Sequence, residues 1–586
     1  MKNKRINFFR GIKNCFKMIY LYDKKYLFLS ICMAIFQGIV FSVSLLVVQK
    51  IINNIQLSST TIDRIIFLLF VYLIVNIFPS ILFYFYNFYR VKFSKNFEKH
   101  IEILLLEKVS SLKLRDFEDD NIYDMINRAQ SQKGRNITIL SENLIAIIKE
   151  FTSIFSLIFI LAKFKFWLVF AIIVIPILKS LYSIKIAKEQ YKVSINRTWK
   201  ERKLWYIDHL LSAGYAYKEL ILFKAVSNFL NYYKKLKDNI ISQDMKIEKK
   251  IFCTDVLYVT LDSLVSAVII GFIIMQGFYR KILIGDSIIY IQAVQSIKEN
   301  VESIFLLFSS IVQELFYTEL LFEFLEYNSK YELEDGINIE KIENIELINL
   351  SYRYPNAKHY SLKNINLILE KNNPVAILGR NGSGKTTLLK IILGFYDDYE
   401  GKILINGKDL KIIKKSDYIN QISCMFQDYV KYEATLKENI LLGNVESKYN
   451  DKDIIDKLEE IKLKSQIYEE DGLDTILGTW FGKKQLSMGE WQRVAISRTI
   501  IKEASMYIFD EPDSSLDSES INELLLLYKK IFINKIGLFI THNIQYIKKI
   551  TNNIIVLENG IMIEKGGHDD LMLKKGVYYK LFHNCK

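Results

Sequence analysis

Proline and cysteine are scarce in this 586-residue chain, with five of each. The cysteines (Cys15, Cys32, Cys253, Cys424 and Cys585) are dispersed and never stand in CxxC spacing. An odd, scattered set excludes a disulfide framework and a thiolate zinc site. The first histidine is His100, so no base close in sequence turns Cys15 into a nucleophile. Cys424 is expected in a reducing cytosol. Low proline beside abundant Lys, Ile and Asn hints at an A/T-rich bacterial genome. The start of the chain is basic and then apolar but lacks a small-residue cleavage site. Its apolar run is too long and others follow, so it is read as a first membrane helix rather than a signal peptide.

What is present divides the chain in two. Its length calls for at least two domains. Half the residues are hydrophobic, too many for a wholly soluble protein and too few for one that is membrane throughout. The net charge of +13 fits either nucleic-acid binding or basic cytoplasmic loops. Its placement decides. Basic residues flank apolar runs, as at Lys2, Lys4, Arg5, Arg10, Lys13 and Lys17, then Arg90, Lys92, Lys95 and Lys99, so no nucleic-acid partner is expected.

A bilayer core takes about 20 apolar residues per helix. Six runs qualify: Tyr26–Gln49, Ile65–Tyr89, Leu144–Ala162, Phe166–Tyr182, Phe252–Phe278 and Ser287–Ile311. Lys163 and Lys165 leave only a short turn between the third and fourth. The long charged linkers, Arg90–Asn143 and Ser183–Ile251, face the cytoplasm by the positive-inside rule, and both termini with them. Lys50, Arg64, Arg280 and Lys281 on the outer side blur the asymmetry. Pro79 and Pro176 are expected to kink their helices.

After Ile311 a helical linker, Glu314–Asn328, leads to short apolar runs: Ile345–Leu350, Val375–Leu378, Ile403–Ile405, Met506–Phe509, Gly537–Ile540 and Ile554–Leu557. Continuous short runs are expected of strands buried on both faces, and helical stretches between them predict an α/β domain. Val375–Leu378 runs into Gly379, Arg380, Asn381, Gly382, Ser383, Gly384, Lys385 and Thr386, then a helical stretch from Thr387. This is G-x-x-x-x-G-K-[ST] in its strand–loop–helix setting. The glycines let backbone N–H groups approach phosphate oxygens, and the helix N-terminus adds positive potential. Lys385 is placed for β- and γ-phosphates and Thr386 for Mg²⁺. Asp510 and Glu511 end the run Met506–Phe509, which suits Asp510 to Mg²⁺ and Glu511 to polarising the attacking water.

With these residues the chain resembles the ATP-binding cassette family over essentially its whole length. Leu486-Ser-Met-Gly-Glu490 is similar to the LSGGQ signature, departing at Met488 and Glu490 and keeping Ser487 and Gly489, which match the nucleotide-contacting positions. Tyr354 resembles the aromatic that stacks on adenine. Gln427 resembles the residue that senses Mg²⁺ and water, and Ser515-Leu-Asp517 the D-loop. His542 resembles the histidine that meets the γ-phosphate. The resemblance implies an exporter fold of the type IV kind. A six-helix membrane domain would span 1–325, a linker 326–342 and an α/β nucleotide-binding domain 343–586. It implies ATP and Mg²⁺ as cofactors and a bacterial cell-membrane location, with termini and cassette in the cytoplasm. It also implies a homodimer, because one cassette's signature closes another's phosphate loop. Asp116–Arg128 and Ser212–Glu219 resemble the short coupling helices that press on cassettes.

Cargo is less legible. Leu477-Gly-Thr-Trp-Phe481 and Trp491-Gln492 resemble exporters of lantibiotic peptides. About 25 residues precede the first span, so no leader-cutting protease domain is expected. Ionisable groups in spans cost about 2.5–3.5 kcal/mol at mid-helix and default to function. Asp255 and Asp262 are seven residues apart on one helix face, with Lys179 and Glu302 on other spans. Two readings stand. Asp262 and Glu302 bind cationic cargo, or the charges pair helices, with Lys179 as one partner. A lipid or multidrug exporter is the alternative function, and an ATP-gated membrane sensor or immunity protein is a further one.

Overall fold

The computed structural model describes residues 8–584 except 58–60, 133, 328–334, 356, 446–448, 464–466, 468–470, 480, 483 and 514–517. The chain forms two compact units. One comprises Met1–Ser110 and Asn121–Asn328; the other comprises Ser111–Asp120 and Ser329–Lys586.

The first unit is helical: α1 Phe8–Tyr22, α2 Lys24–Leu57, α3 Ile62–Ser110, α5 Asp120–Gln132, α6 Arg135–Ala162, α7 Trp167–Ser212, α8 Tyr217–Leu222, α9 Val226–Phe278 and α10 Ile284–Glu326. The short helix α4, Leu114–Phe117, lies in the loop that belongs to the second unit. α3, α7 and α9 run on well past their apolar spans into the charged linkers. At 53 residues α9 is about 80 Å long, far more than a bilayer requires. α3 and α7 continue as helices through Pro79 and Pro176. Among the described residues, five helices are long and apolar enough to cross a membrane: α2, α3, α6, the first part of α7, and α9. α10, read as a sixth span over Ser287–Ile311, does not meet that standard, because Lys298, Glu299 and Glu302 interrupt its apolar stretch.

Lipid gives helices no hydrophobic reason to associate, so close approach and polar contacts between them matter more. α2 meets this with a small-residue stripe at four-residue spacing, Ser30, Ala34, Gly38 and Ser42, all buried. It faces α6, where the Ser42 and Ser156 hydroxyls are hydrogen-bonded at 2.6 Å. A Cβ at Gly38 would stand 2.8 Å from the Lys149 carbonyl oxygen. Gly38→Ile is therefore expected to lower the thermal midpoint in detergent by at least about 5 °C. Gly271→Ile is the control, because a Cβ there meets nothing within 4 Å, and should change it little. Equal midpoints would remove this seam from the account.

The second unit is built on two sheets. The strands are β1 Asn344–Tyr352, β2 Leu362–Glu370, β3 Val375–Leu378, β4 Glu400–Ile405, β5 Lys408–Asp409, β6 Ile422–Met425, β7 Met506–Asp510, β8 Ile536–Ile540, β9 Asn553–Glu558 and β10 Ile561–Gly566. One sheet is antiparallel in order β2-β1-β4-β5, and the other runs β10-β9-β3-β8-β7-β6. From β9 to β6 the second sheet is parallel, and β10 closes its edge antiparallel. β3, β7 and β8 are buried along their full length, as continuous apolar runs between helices must be. All six runs expected to be strands are strands. β2, β5, β6 and β10 were not among the expected runs, and β2 shows why: its residues largely alternate between buried and exposed, so it shows no continuous apolar run.

Candidate functional site

The parallel sheet places the site at the C-terminal ends of β3 and β7, the usual position for ligands in open α/β sheets. β3 ends at Leu378, the loop Gly379–Gly384 follows, and α11, Lys385–Ile392, begins. Gly384 has φ +105°, and a Cβ there would stand 2.8 Å from the Ser361 carbonyl oxygen. No other residue fits both the backbone conformation and the space. The loop is a cradle for an anion. The Ser383 hydroxyl is buried without a hydrogen-bond partner among the described residues, as a donor awaiting an external oxygen would be. Lys385 is buried, its Nζ donating to the Gly379 carbonyl at 2.8 Å. Burial pulls its pKa below the usual lysine range against the opposing pull of Glu511 and Asp510. Arg380, Asn381, Gly382 and Thr386 are exposed around the loop.

Asp510 ends β7 and is buried. Burial raises its pKa from 3.8 to about 6, helped by the neighbouring Glu511 and opposed by Lys385. Its folded-state pKa exceeds the unfolded one, so this group favours folding at low pH. That contribution is lost as pH rises toward about 6, where the carboxylate ionises inside the site. Asp510 with Thr386 and Gln427 is an oxygen-donor set of the kind Mg²⁺ takes.

Glu511 follows with φ +48°, a left-handed conformation costly for a non-glycine residue and typical of sites where the surrounding structure imposes it. Its N–H donates to the Ile540 carbonyl at 2.8 Å, which pins the turn to β8. Its carboxylate accepts from Gln427 Nε2 at 2.7 Å, and His542 Nδ1 lies 3.6 Å away. Gln427 and His542, widely separated in sequence, thus converge on one buried carboxylate. Such a group, held by an amide and beside an exposed imidazole, has the chemistry of a general base.

Ser487 caps the helix Met488–Ile500. Glu490 Oε2 accepts from both the Ser487 N–H and its hydroxyl at 2.8 Å, a capping box built by the unusual Glu490. Gly489 lies in the first turn of that helix, and the exposed Met488 is held by Tyr429, whose hydroxyl donates to its carbonyl at 3.1 Å. The Tyr354 hydroxyl and Thr387 Oγ1 are hydrogen-bonded at 3.2 Å. Trp491 is buried in the core and Phe481 is exposed. Asp517, with the rest of Ser515–Asp517, and Trp480 lie outside the described residues.

In the helical unit the four ionisable residues singled out from sequence are ion-paired, and a fifth was missed. Asp262 pairs with Lys298. Lys179 lies 3.4 Å from Glu302 and 3.5 Å from Asp255. Lys298 stood in a run read as apolar, so only the fold discloses it as the counter-charge.

Residues 362–514 match the ABC transporter family model. The chain is 34% identical over 573 residues to the subtilin transport ATP-binding protein of Bacillus subtilis, covering 97% of this chain and 92% of that one. The chain belongs to the ABC transporter family: it is an ABC exporter half-transporter whose ATPase is coupled to transport. The nisin transport ATP-binding protein of Lactococcus lactis is 31% identical over 97% of this chain and 95% of its own. The ATP-dependent lipid A-core flippase of Escherichia coli K12 is 26% identical over 78% of this chain and 77% of its own. A solved bacterial Atm1-family ABC exporter with ATP bound shares the fold at TM-score 0.79, with 19% identity over 96% of this chain and 98% of that one.

Proposed function

We propose that this exporter moves a peptide, of the lantibiotic class or another antimicrobial kind, out of a bacterial cell by alternating access. The observation that carries the reading is its near full-length similarity to the subtilin and nisin transport proteins. The flanks Trp480–Phe481 and Trp491–Gln492 agree with it. The flippase similarity is lower and covers less of the chain, which makes a lipid the second reading.

In this scheme the phosphate loop, Lys385 and Thr386 hold the ATP phosphates, and Tyr354 stacks on adenine. Thr386, Gln427 and Asp510 hold Mg²⁺, which supplies charge neutralisation at the β- and γ-phosphates. Glu511 takes the proton of the attacking water, Gln427 orients that carboxylate, and His542 contacts the γ-phosphate. Ser487, Gly489 and Asp517 come from a second copy of the chain. A homodimer suits a chain that carries a phosphate loop, a base and the signature positions Ser487 and Gly489 together. The termini and the cassette lie in the cytoplasm.

In nanodiscs, lanthionine peptides are expected to stimulate ATP hydrolysis severalfold, with lipid A and unrelated hydrophobic drugs giving little. Equal stimulation by all three would defeat the peptide reading.

Asp262 and Glu302 belong to a membrane cluster of three carboxylates, with Asp255, against Lys179 and Lys298, one negative charge in excess. That excess suits a cationic cargo. Asp262→Asn is expected to cut stimulation by cationic peptides at least threefold. It should also lower the thermal midpoint more than the double variant Asp262→Asn/Lys298→Met, because the single change strands a charged lysine. Unchanged stimulation would leave the cluster with a pairing role alone.

A further inference from the structure

The loop Ser111–Asp120 lies between α3 and α5 in sequence, yet it belongs to the same compact unit as the cassette. Its anchor is Glu118. Both carboxylate oxygens accept from the Tyr396 hydroxyl, at 2.7 and 2.8 Å. The Tyr396 ring is 1% exposed, stacks on Tyr352 at 5.1 Å between centroids, and meets Tyr354 edge-on at 5.9 Å. Glu118 also accepts from Lys390 Nζ at 2.8 Å, and Lys390 lies on α11, the helix that continues the phosphate loop. Tyr354 is tied to that helix through Thr387. It lines a cleft of about 370 Å³ with Arg353 and with Arg115, which comes from the same loop as Glu118 and is paired to Asp398 at 2.7 Å.

We propose that Glu118 is a positioning residue for the nucleobase: through Tyr396 it fixes the attitude of the Tyr354 ring and so sets the preference for adenine. This rests on the adenine-stacking role proposed for Tyr354. The physical basis is that a buried hydroxyl stripped of its acceptor carries an uncompensated desolvation cost. Without the Glu118 carboxylate the Tyr396 hydroxyl is left with the Tyr354 hydroxyl as its hydrogen-bonding neighbour, and the bond between them then acts on the Tyr354 side chain directly. The edge contact between the two rings moves with it, because a close-packed interior transmits such displacements. The loop then carries more than a docking contact. It determines how well a base is held, and base occupancy is felt by the loop in return, since coupling between two sites is reciprocal.

The test is the ratio of kcat/KM for ATP to that for CTP, measured on the full-length protein in nanodiscs. A pyrimidine presents a smaller face to stack, so the wild type should favour ATP. Glu118→Ala is expected to lower the ratio at least fivefold, mostly through the KM for ATP. Tyr396→Phe, which keeps the ring and needs no acceptor, should lower it less, and combining it with Glu118→Ala should add nothing. Glu118→Gln, which still accepts from Tyr396, should restore the ratio to within twofold of wild type. If Glu118→Ala slows both nucleotides equally, the loop only docks and the proposal fails. If Glu118→Ala does not assemble, Glu118→Met, which keeps the length without the acceptor, takes its place, and an unchanged ratio in it overturns the proposal. Tyr354→Ala separates the layers. If it leaves the ratio unchanged, the stacking role and this proposal fall together, while ATP hydrolysis by that variant leaves the export reading standing.

Discussion

Glu511→Gln is expected to reduce steady-state ATP hydrolysis by about 10²–10⁴-fold, the range for losing a general base, while leaving ATP binding intact. The carboxylate is buried in a left-handed turn pinned to β8, with Gln427 holding one oxygen. An amide in its place keeps the size and a hydrogen-bonding oxygen but cannot take a proton. The variant should therefore accumulate ATP rather than ADP after incubation with Mg²⁺-ATP. The amount retained per chain, measured after rapid gel filtration, checks this directly. Turnover near the wild-type rate would show that another group is the base and that the convergence of Gln427 and His542 on Glu511 has another purpose.

The second large effect separates function from stability at one residue. Lys385 is a buried ammonium whose pKa is depressed by desolvation. Without nucleotide, that charge is held in the fold at a cost, offset in part by its bond to the Gly379 carbonyl. Lys385→Met fills a similar volume with no charge. It is expected to abolish hydrolysis, at least about 10²-fold down, while its nucleotide-free thermal midpoint equals or exceeds that of the wild type. Adding Mg²⁺-ATP should stabilise the wild type by about 2.7 kcal/mol at a hundredfold excess over Kd, and the variant hardly at all. A variant that melts early without nucleotide would mean that the lysine serves the fold first.

These effects were foreseeable because the phosphate loop and the Asp510–Glu511 pair are local: a strand, a turn and a helix carry them in consecutive residues. The six continuous apolar runs were legible for the same reason. A strand buried on both faces needs no partner to announce itself. β2 was not, since its alternation at Leu362–Glu370 makes sense only once β1 covers one face. The α10 segment shows the opposite failure. Lys298 and Glu302 are tolerable in an apolar run because Asp262 and Lys179, on other helices, neutralise them, and no local pattern records that. The bond from Glu118 to Tyr396 joins residues 278 apart, and the left-handed turn at Glu511 exists because β8 demands it. Site chemistry was written locally; the groups that aim it come from the tertiary fold. Glu490 lies between these cases. As a letter it departed from the expected signature, and in the structure it completes the cap on Ser487.

The most direct measurement of the central claim is uptake of a labelled cationic lanthionine peptide into sealed inside-out vesicles carrying the full-length protein. Mg²⁺-ATP should drive accumulation above the outside concentration, and neither the Glu511→Gln protein nor a non-hydrolysable analogue should support it. Accumulation that persists in Glu511→Gln vesicles, or ATP-driven movement of labelled lipid with none of peptide, would contradict the account.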